Sequence, residues 1–518
     1  MPPHCQPDAG PVAPDPVHAR RSRRRAAGAS IAGLAAAALM LAPASGAAPK
    51  ATAAFNVDAT LYSLKTLPTY TPATSRLVTK KSTAFDGKVF LAAKRNVPNW
   101  QVGPMILDDD AKLLWYKPVD AEMVTDVRPQ TYKGKPVITW WQGKNFRGYG
   151  EGQGEIYDVN YQHVATVNAG NGRMMDLHEF HITPQGTALI IAYQKGKGDL
   201  SKAPGGGPKD GLIQNNYVQE VDIDTGKVLM EWNGAKDIPY SESFNTVPKD
   251  GTIPYDWMHM NSVNITEDGN LVVSARATHT YYKINRKTGK LIWKMGGKNS
   301  DFKMGKGAGT FFQHDVHQLS PNFWSVYDNA ADAVPAAGAK PIVSRGVILK
   351  VDEKKKTVTL KKAFKYPKPL LGVSQGNMQT LPGAHEFIGW GGDKQFMTEF
   401  DSKGRVVWNA KLNSVATDTY RAYKAKWHAM PTSKPLVDAQ VAAGKVTVSM
   451  SWNGATEIAK WRILGGASAD DLGEVGNVSW NDLESAGTFA TAATKFKVEA
   501  LDAKGKVLGT SDVVDAHA

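Results

Sequence analysis

Arg286-Lys287-Thr288-Gly289-Lys290-Leu291-Ile292-Trp293 is a polar, glycine-bearing turn followed by a short β-forming run that ends in tryptophan. The phrase recurs at Asp108-Asp109-Asp110-Ala111-Lys112-Leu113-Leu114-Trp115, at Asp224-Thr225-Gly226-Lys227-Val228-Leu229-Met230 and at Asp401-Ser402-Lys403-Gly404-Arg405-Val406-Val407-Trp408. Weaker copies stand at Asn160-Tyr161-Gln162-His163-Val164-Ala165 and Glu353-Lys354-Lys355-Lys356-Thr357-Val358. Six copies spaced about 50 to 65 residues apart have the period of propeller blades carrying loop insertions. Pro136-Val137-Ile138-Thr139-Trp140-Trp141 and Asn270-Leu271-Val272-Val273-Ser274 are typical of the runs between them, and no long helical period competes. A string of separate sandwiches would need linkers between the units. The phrase therefore predicts an all-β chain with a six-bladed β-propeller over 55–430, a ring that leaves few free sheet edges.

Past Pro431 the phrase stops. Val446-Thr447-Val448-Ser449-Met450-Ser451-Trp452, Lys460-Trp461-Arg462-Ile463-Leu464 and Phe496-Lys497-Val498-Glu499-Ala500-Leu501 are strands of another kind. They predict a small fibronectin- or Ig-like β-sandwich over 431–518.

The opposite end has the order of a signal peptide. Arg20, Arg21, Arg23, Arg24 and Arg25 precede an Ala-rich apolar stretch, and small residues follow at Ala42, Ala44, Ser45, Gly46 and Ala47. The expectation is export with residues 1–48 removed, a mature protein with no membrane span, and a secreted or extracytoplasmic location. Ser22-Arg23-Arg24 loosely fits a twin-arginine signal, with Sec export as the other route. The single cysteine, Cys5, would be lost with this segment, which excludes disulfides, thiolate chemistry and cysteine metal sites from the mature chain.

The net charge of +13 is inflated by the N-terminal arginines. Elsewhere the charges are interspersed, with no basic stripe interleaved with aromatics, so no nucleic-acid partner is expected. A mildly basic surface suits anionic ligands.

Histidine carries the functional signal. Asp176-Leu177-His178-Glu179-Phe180-His181, Asp256-Trp257-Met258-His259-Met260-Asn261-Ser262 and Phe312-Gln313-His314-Asp315-Val316-His317 open successive blades. Equivalent strand starts in a propeller converge on the central channel, so three imidazoles in register predict a shared site. Arg276, after His259, and Arg345, after His314, add fixed guanidinium forks suited to oxyanions. Zinc is the competitor, because His178/His181 and His314/His317 are both spaced i,i+3. On a strand of period two such a pair points to opposite faces, so each pair is expected to offer one inward ring. A three-His metal site assembled from three blades stays open.

At these residues the chain resembles the bacterial arylsulfotransferases, most closely the branch common in actinobacteria and fungi. The resemblance rests on the order of Asp176-Leu177-His178-Glu179-Phe180, His259-Met260-Asn261-Ser262, Ser274-Ala275-Arg276, Gln313-His314-Asp315, Tyr327-Asp328-Asn329 and Ser344-Arg345, and runs from about Gly103 to Trp408. Trp452-Asn453-Gly454-Ala455-Thr456 with Trp461 is similar to the sandwich that follows the propeller in that branch. The resemblance implies a cofactor-independent enzyme that moves a sulfuryl group from a phenolic sulfate donor to a phenolic acceptor through a sulfated histidine. It implies His314 as nucleophile, His178 and His259 as assisting histidines, Arg276 on the sulfate oxygens, and Asn261, Asn329 and Arg345 as substrate-binding residues. Two other readings stand beside it: a non-catalytic exported propeller that binds a ligand or partner, and a metal-dependent hydrolase or lyase.

Overall fold

Each of the six turn phrases lies between the third and fourth strands of a four-stranded antiparallel sheet. The turns share one chemistry. An Asp or Asn at the end of the third strand accepts backbone N–H groups from the turn: Asp108 from Asp110 and Lys112, Asp158 from Asn160 and Gln162, Asn285 from Lys287 and Thr288, Asp401 from Lys403 and Arg405. Each turn also needs one left-handed residue, which is Gly226, Gly289 and Gly404 in three copies. Ala111, Tyr161 and Lys356 take that conformation in the others, so both weak copies, and one strong copy, hold a non-glycine there.

The computed structural model describes residues 61–94, 101–331, 342–392, 394–413 and 417–518. The expected signal segment 1–48, with Cys5, lies outside them. The second sheet, ordered from its inner strand outward, is Met123–Tyr132, Lys135–Phe146, Tyr149–Asp158 and His163–Val167. The third is Met174–Ile182, Thr187–Gly198, Gly211–Asp222 and Val228–Asn233; the fourth is Met260–Ile265, Leu271–Ala275, Thr280–Ile284 and Leu291–Gly296. The fifth is His314–Ser320, Phe323–Asp328, Arg345–Asp352 and Thr357–Phe364, with Lys303–Met304 on its edge. The sixth is Asn377–Leu381, His385–Gly389, Phe396–Phe400 and Val406–Leu412, and Ser75–Lys80 from the front of the chain adds a strand to its outer edge. The first sheet joins both ends of this region: Tyr423–Ala425 is its inner strand, and Lys88–Ala92, Pro104–Leu107 and Leu113–Tyr116 lie outside it.

One hydrogen bond repeats from each inner strand to the next. Asp126 accepts from Phe180 N (3.0 Å), Glu179 from Val263 N (3.3 Å), Ser262 from Val316 N (3.1 Å), Asp315 from Met378 N (3.0 Å) and Asn377 from Ala422 N (3.0 Å). The sixth position holds Arg421. Its guanidinium closes the circuit onto Asp126 (3.1 Å) and also faces Glu179 (3.3 Å), Asp315 (3.7 Å) and the carbonyl of Asn261 (2.7 Å). Arg128 pairs with Asp126 and Glu179 in the same layer. These groups are buried, so the ring is a plug of paired charge that ties the sheets in order. Apolar clusters fill the gaps between neighbouring sheets, for example Val272, Trp293, Val316, Trp324, Val347 and Leu349 between the fourth and fifth.

After Pro431, Leu436–Ala442, Lys445–Ser451 and Glu484–Phe489 form one sheet. Asp471–Ser479, Lys460–Ser468, Lys495–Leu501 and Val507–Thr510 form another, and Val448, Met450, Trp461, Ile463, Phe496 and Val498 share the core between the two. This pair is not a pendant module. The Asn453 amide accepts from Tyr116 N (3.0 Å) and donates to Tyr116 O (2.8 Å), while Glu484 accepts from the backbone of Lys65 and Thr66. The described residues from 61 onward form one compact unit. Among the described residues no helix is long and apolar enough to cross a membrane.

Candidate functional site

The ring fixes which residues of different sheets are equivalent. One position before it stand Thr125, His178, Asn261, His314, Gly376 and Tyr420. His178 and His314 are therefore equivalent, whereas His259 lies two residues earlier on its own sheet, where Asn261 takes the equivalent place. The expectation that all three histidines are in register is corrected in this respect. His259 reaches the others because its backbone is left-handed (φ 53°) just before the strand begins at Met260. Phe312, Asp315 and Gln375 are left-handed as well, a concentration of costly backbone around one spot.

The inner strands also bulge here. His314 faces Tyr327 and His317 faces Ser325, so three residues on one strand span two on the other, and a larger bulge encloses 176–179. The i,i+3 histidine pairs are consequently divided along the strand. His178 and His314 line a cavity of about 300 Å³ on one side of the charged ring. His181 and His317 follow the ring residue and line a separate cavity of about 810 Å³ with Gln130, Gln318 and Gln379.

The smaller cavity gathers His178, His259, His314 and Arg276 with Gln375 and Tyr420. The His178 ring centroid is 4.8 Å from that of His259 and 6.5 Å from that of His314. Tyr420 packs its ring on His178 at 5.6 Å and donates its hydroxyl to His178 O (3.1 Å). Two aspartates hold the assisting rings from behind: Asp176 Oδ2 is 2.5 Å from His178 Nδ1, and Asp256 pairs with His259 Nδ1. Asp176 also accepts from Gly150 N (2.7 Å) and His178 N (3.1 Å).

The two pairs differ electrostatically. Burial pushes Asp176 up to about 7, and burial followed by the His259 charge holds His178 well below the usual imidazole range. Burial opposes the charge on Asp256 too, but His259 beside it more than compensates and keeps that carboxyl below its ordinary value. His314 is held well below the usual range by burial and then by the charge of Arg276.

His314 Nδ1 is 2.7 Å from Asn329 Oδ1 and 3.1 Å from Phe312 O. Asn329 spends its Nδ2 donors on Gly372 O (2.8 Å) and Gln375 O (2.9 Å), which turns Oδ1 towards the ring. Two acceptors at Nδ1 require a proton there, so the lone pair is on Nε2, which accepts from Gln375 N (3.1 Å). Arg276 lies over the Phe312 ring at 4.2 Å and donates to Val373 O (3.3 Å). Among the described residues, no group of three or more His, Cys, Asp or Glu is disposed to hold a metal ion.

Of the residues expected to bind substrate, three lie off the cavity lining. Asn261 is buried and donates to Gln313 O (2.7 Å), bridging two sheets. Asn329 stands behind His314, and Arg345 is committed to Asp328 (2.8 Å) and Gly309 O (2.9 Å) on the fifth sheet. Arg345 is spent on an inter-strand ion pair, the Asn329 donors on two loop carbonyls and the Asn261 donor on Gln313 O, while Asn261 Oδ1 is buried without a hydrogen-bond partner among the described residues. The sequence reading gave no role to Asp176, Asp256, Gln375, Tyr420 or Arg421. The two aspartates could have been found from their places two and three residues before a site histidine; the others carry no local signal.

A solved protein of unknown function from Bacteroides caccae is 14% identical at a TM-score of 0.39, covering 66% of this chain and 99% of its own. Catalytically inactive virginiamycin B lyase from Staphylococcus aureus, solved with quinupristin, is 10% identical at 0.33, with 73% and 97% covered. A putative 6-phosphogluconolactonase from Bacteroides fragilis is 10% identical at 0.32, with 67% and 100% covered. No curated protein matches the chain. The arylsulfotransferase (ASST) family model matches residues 128–413, more than half of the chain and a span that holds His178, His259, Arg276 and His314, so the chain belongs to the arylsulfotransferase family.

Proposed function

We propose that this chain is an exported aryl-sulfate sulfotransferase that carries the sulfuryl group on His314 between a phenolic sulfate and a phenol. In this reading the six sheets are the blades of a propeller, the sheets after Pro431 are a fibronectin-like sandwich, and the chain sits in the branch common in actinobacteria and fungi. The observation that carries it is the fixed tautomer of His314: Asn329 accepts the hydrogen bond from Nδ1–H, which leaves the lone pair on Nε2, and the ring lines a cavity that also holds Arg276 and two further histidines.

In the first half-reaction Nε2 attacks sulfur, and the bond from sulfur to the aryl oxygen breaks. The departing phenolate takes a proton from the His259–Asp256 pair, which the ionised Asp256 makes the better proton carrier. The sulfated ring keeps its Nδ1 proton and so acquires a positive charge, stabilised by Asn329 Oδ1. Nε2 exchanges its bond with Gln375 N for the bond to sulfur, and that amide then faces a sulfuryl oxygen beside Arg276. His178 stays neutral and donates or accepts without carrying charge. In the second half an acceptor phenol returns its proton to the same pair, attacks sulfur and restores the Nε2 lone pair. A loose, in-line transfer of this kind asks the protein mainly for positioning and charge.

Mixing the protein with p-nitrophenyl sulfate tests this directly. A burst of one p-nitrophenol per chain and a sulfated peptide containing His314 are expected, with His314→Asn giving neither. Full turnover by His314→Asn would refute it.

A further inference from the structure

The central strands of the second sheet, like those of the third, are longer than those of the other sheets. Lys135–Phe146 and Tyr149–Asp158 stay paired to Phe146↔Tyr149, whereas the matching strands of the fourth sheet, Leu271–Ala275 and Thr280–Ile284, have five residues each. At about 3.3 Å per residue the extra length lifts the tip well above the ring. The closing turn is Arg147-Gly148, with φ of 55° and 98°, a tight two-residue turn whose twist suits the hairpin. The tip is held in place: Asn145 accepts from Gly148 N (3.1 Å), and Gly150 N donates to Asp176, the carboxylate behind His178. A Cβ at Gly148 would stand 3.6 Å from His259 Cε1, so the turn lies directly against the site.

Arg147 lines the same cavity as the site histidines and is exposed. No hydrogen bond or ion pair engages its guanidinium among the described residues. The other basic group at the mouth, Lys94, is neutralised by Asp418 at 2.8 Å. A single sulfuryl group would be occupied by His314, Arg276 and the Gln375 amide. Arg147 is thus a cation on a rigid mount with no hydrogen-bond or ion-pair partner among the described residues, near enough to Asp250 to help lower that carboxyl but with no share in the transfer step.

We propose that Arg147 forms a subsite for a second anionic group, a carboxylate or a further sulfate, on the aryl ring of donor or acceptor. The proposal rests on the sulfotransferase reading for its substrate class, though not for its binding geometry. A fork at the mouth would pair with a planar carboxylate while the ring's sulfur group occupies the histidine end.

The test uses two aryl sulfonates, 4-sulfobenzoate and toluene-4-sulfonate, whose carbon–sulfur bond keeps them from being transferred. Calorimetry on the full chain should show tighter binding of 4-sulfobenzoate. Arg147→Gln should cut that preference about 5-fold, and Arg147→Lys should keep part of it; raised salt should weaken it, as expected of an exposed pair. Equal binding of the two sulfonates by the unmodified protein, or a preference unchanged in Arg147→Gln, would overturn the subsite. Loss of the sulfated His314 peptide with the preference intact would refute the reaction and leave the subsite standing.

Discussion

Asn329 holds His314 in one tautomer because both of its own amide donors are already spent on Gly372 O and Gln375 O. The same side chain thereby orients the nucleophile and anchors the segment whose Gln375 amide meets Nε2. Replacing it with Ala frees the ring to change tautomer and frees the segment to move. Asn329→Ala should lower the rate of the p-nitrophenol burst about 10²-fold with little change in burst amplitude. Nitrogen NMR of labelled histidine should show a protonated Nδ1 at His314 in the parent and mixed tautomers in the variant. An unaltered burst rate would show that the contact is only structural.

His314 also makes a pH signature. Its native proton affinity is depressed, so below its unfolded value of 6.5 the unfolded chain binds a proton that the folded chain refuses. Its contribution to stability is therefore lost as pH falls from 6.5. Asp176 acts in the opposite sense: its carboxyl is raised to about 7, so the folded state holds a proton that the unfolded state releases, and its effect is a loss of stability as pH rises from about 4 towards 7. Comparison with His314→Asn isolates the first effect. The variant's unfolding free energy from urea titration should fall less steeply with acid below pH 6.5, by up to about 1.4 kcal/mol per pH unit. Parallel curves would mean that His314 titrates as it does in the unfolded chain.

The sheets and their order were legible because their turns obey a local rule. An Asp or Asn ahead of a left-handed residue needs nothing from elsewhere in the chain, so Asp401-Ser402-Lys403-Gly404 reads the same in isolation as in the fold. The gathering of His178, His259 and His314 was legible through their repetition near strand starts, and Arg276 through its place at the end of the strand after His259. The offset of His259 was not, since it depends on a bulge and one left-handed residue that leave no mark in strand periodicity. Asn261, Asn329 and Arg345 share composition with substrate-binding residues, but their donors are spent on groups 17 to 52 positions away that only the fold brings beside them. Arg421 was invisible for the same reason: its partners come from 106 to 295 positions away in three other sheets.

That arginine carries a large share of the ring's integrity. It is fully buried between Asp126, Glu179 and Asp315, and its removal leaves carboxylates that Arg128 alone cannot offset. Breaking a buried pair from one side costs about 3–5 kcal/mol. Arg421→Met should lower the thermal midpoint sharply, or prevent folding at neutral pH, and mild acid should partly restore the variant as a carboxylate takes up a proton. Arg421→Lys should lie between. A midpoint for Arg421→Met within a degree or two of the parent would show that the carboxylates find other partners.

The last expectation concerns the sheets after Pro431, which protect an edge as well as forming a core of their own. Leu113–Tyr116 is the outermost strand of the first sheet, and its backbone would face solvent there. Asn453 instead satisfies both Tyr116 N and Tyr116 O, and Gly454 N donates to Leu114 O at 3.0 Å. Gly454 is confined to glycine by a φ of 99° and by Tyr161, whose Cε2 lies 2.2 Å from where a Cβ would stand. Asn453→Ala leaves a buried donor and acceptor unpaired, at a cost of about 1–3 kcal/mol. Gly454→Ala should cost more, through strain and the clash together. Ending the chain at Pro431 removes all of these bonds and opens a sheet edge prone to self-association. The truncated protein should unfold at a lower temperature, with the amides of the first sheet exchanging soonest and aggregation rising with concentration. Equal thermal midpoints for full-length and truncated chains would show that the first sheet's edge is stable without its cover.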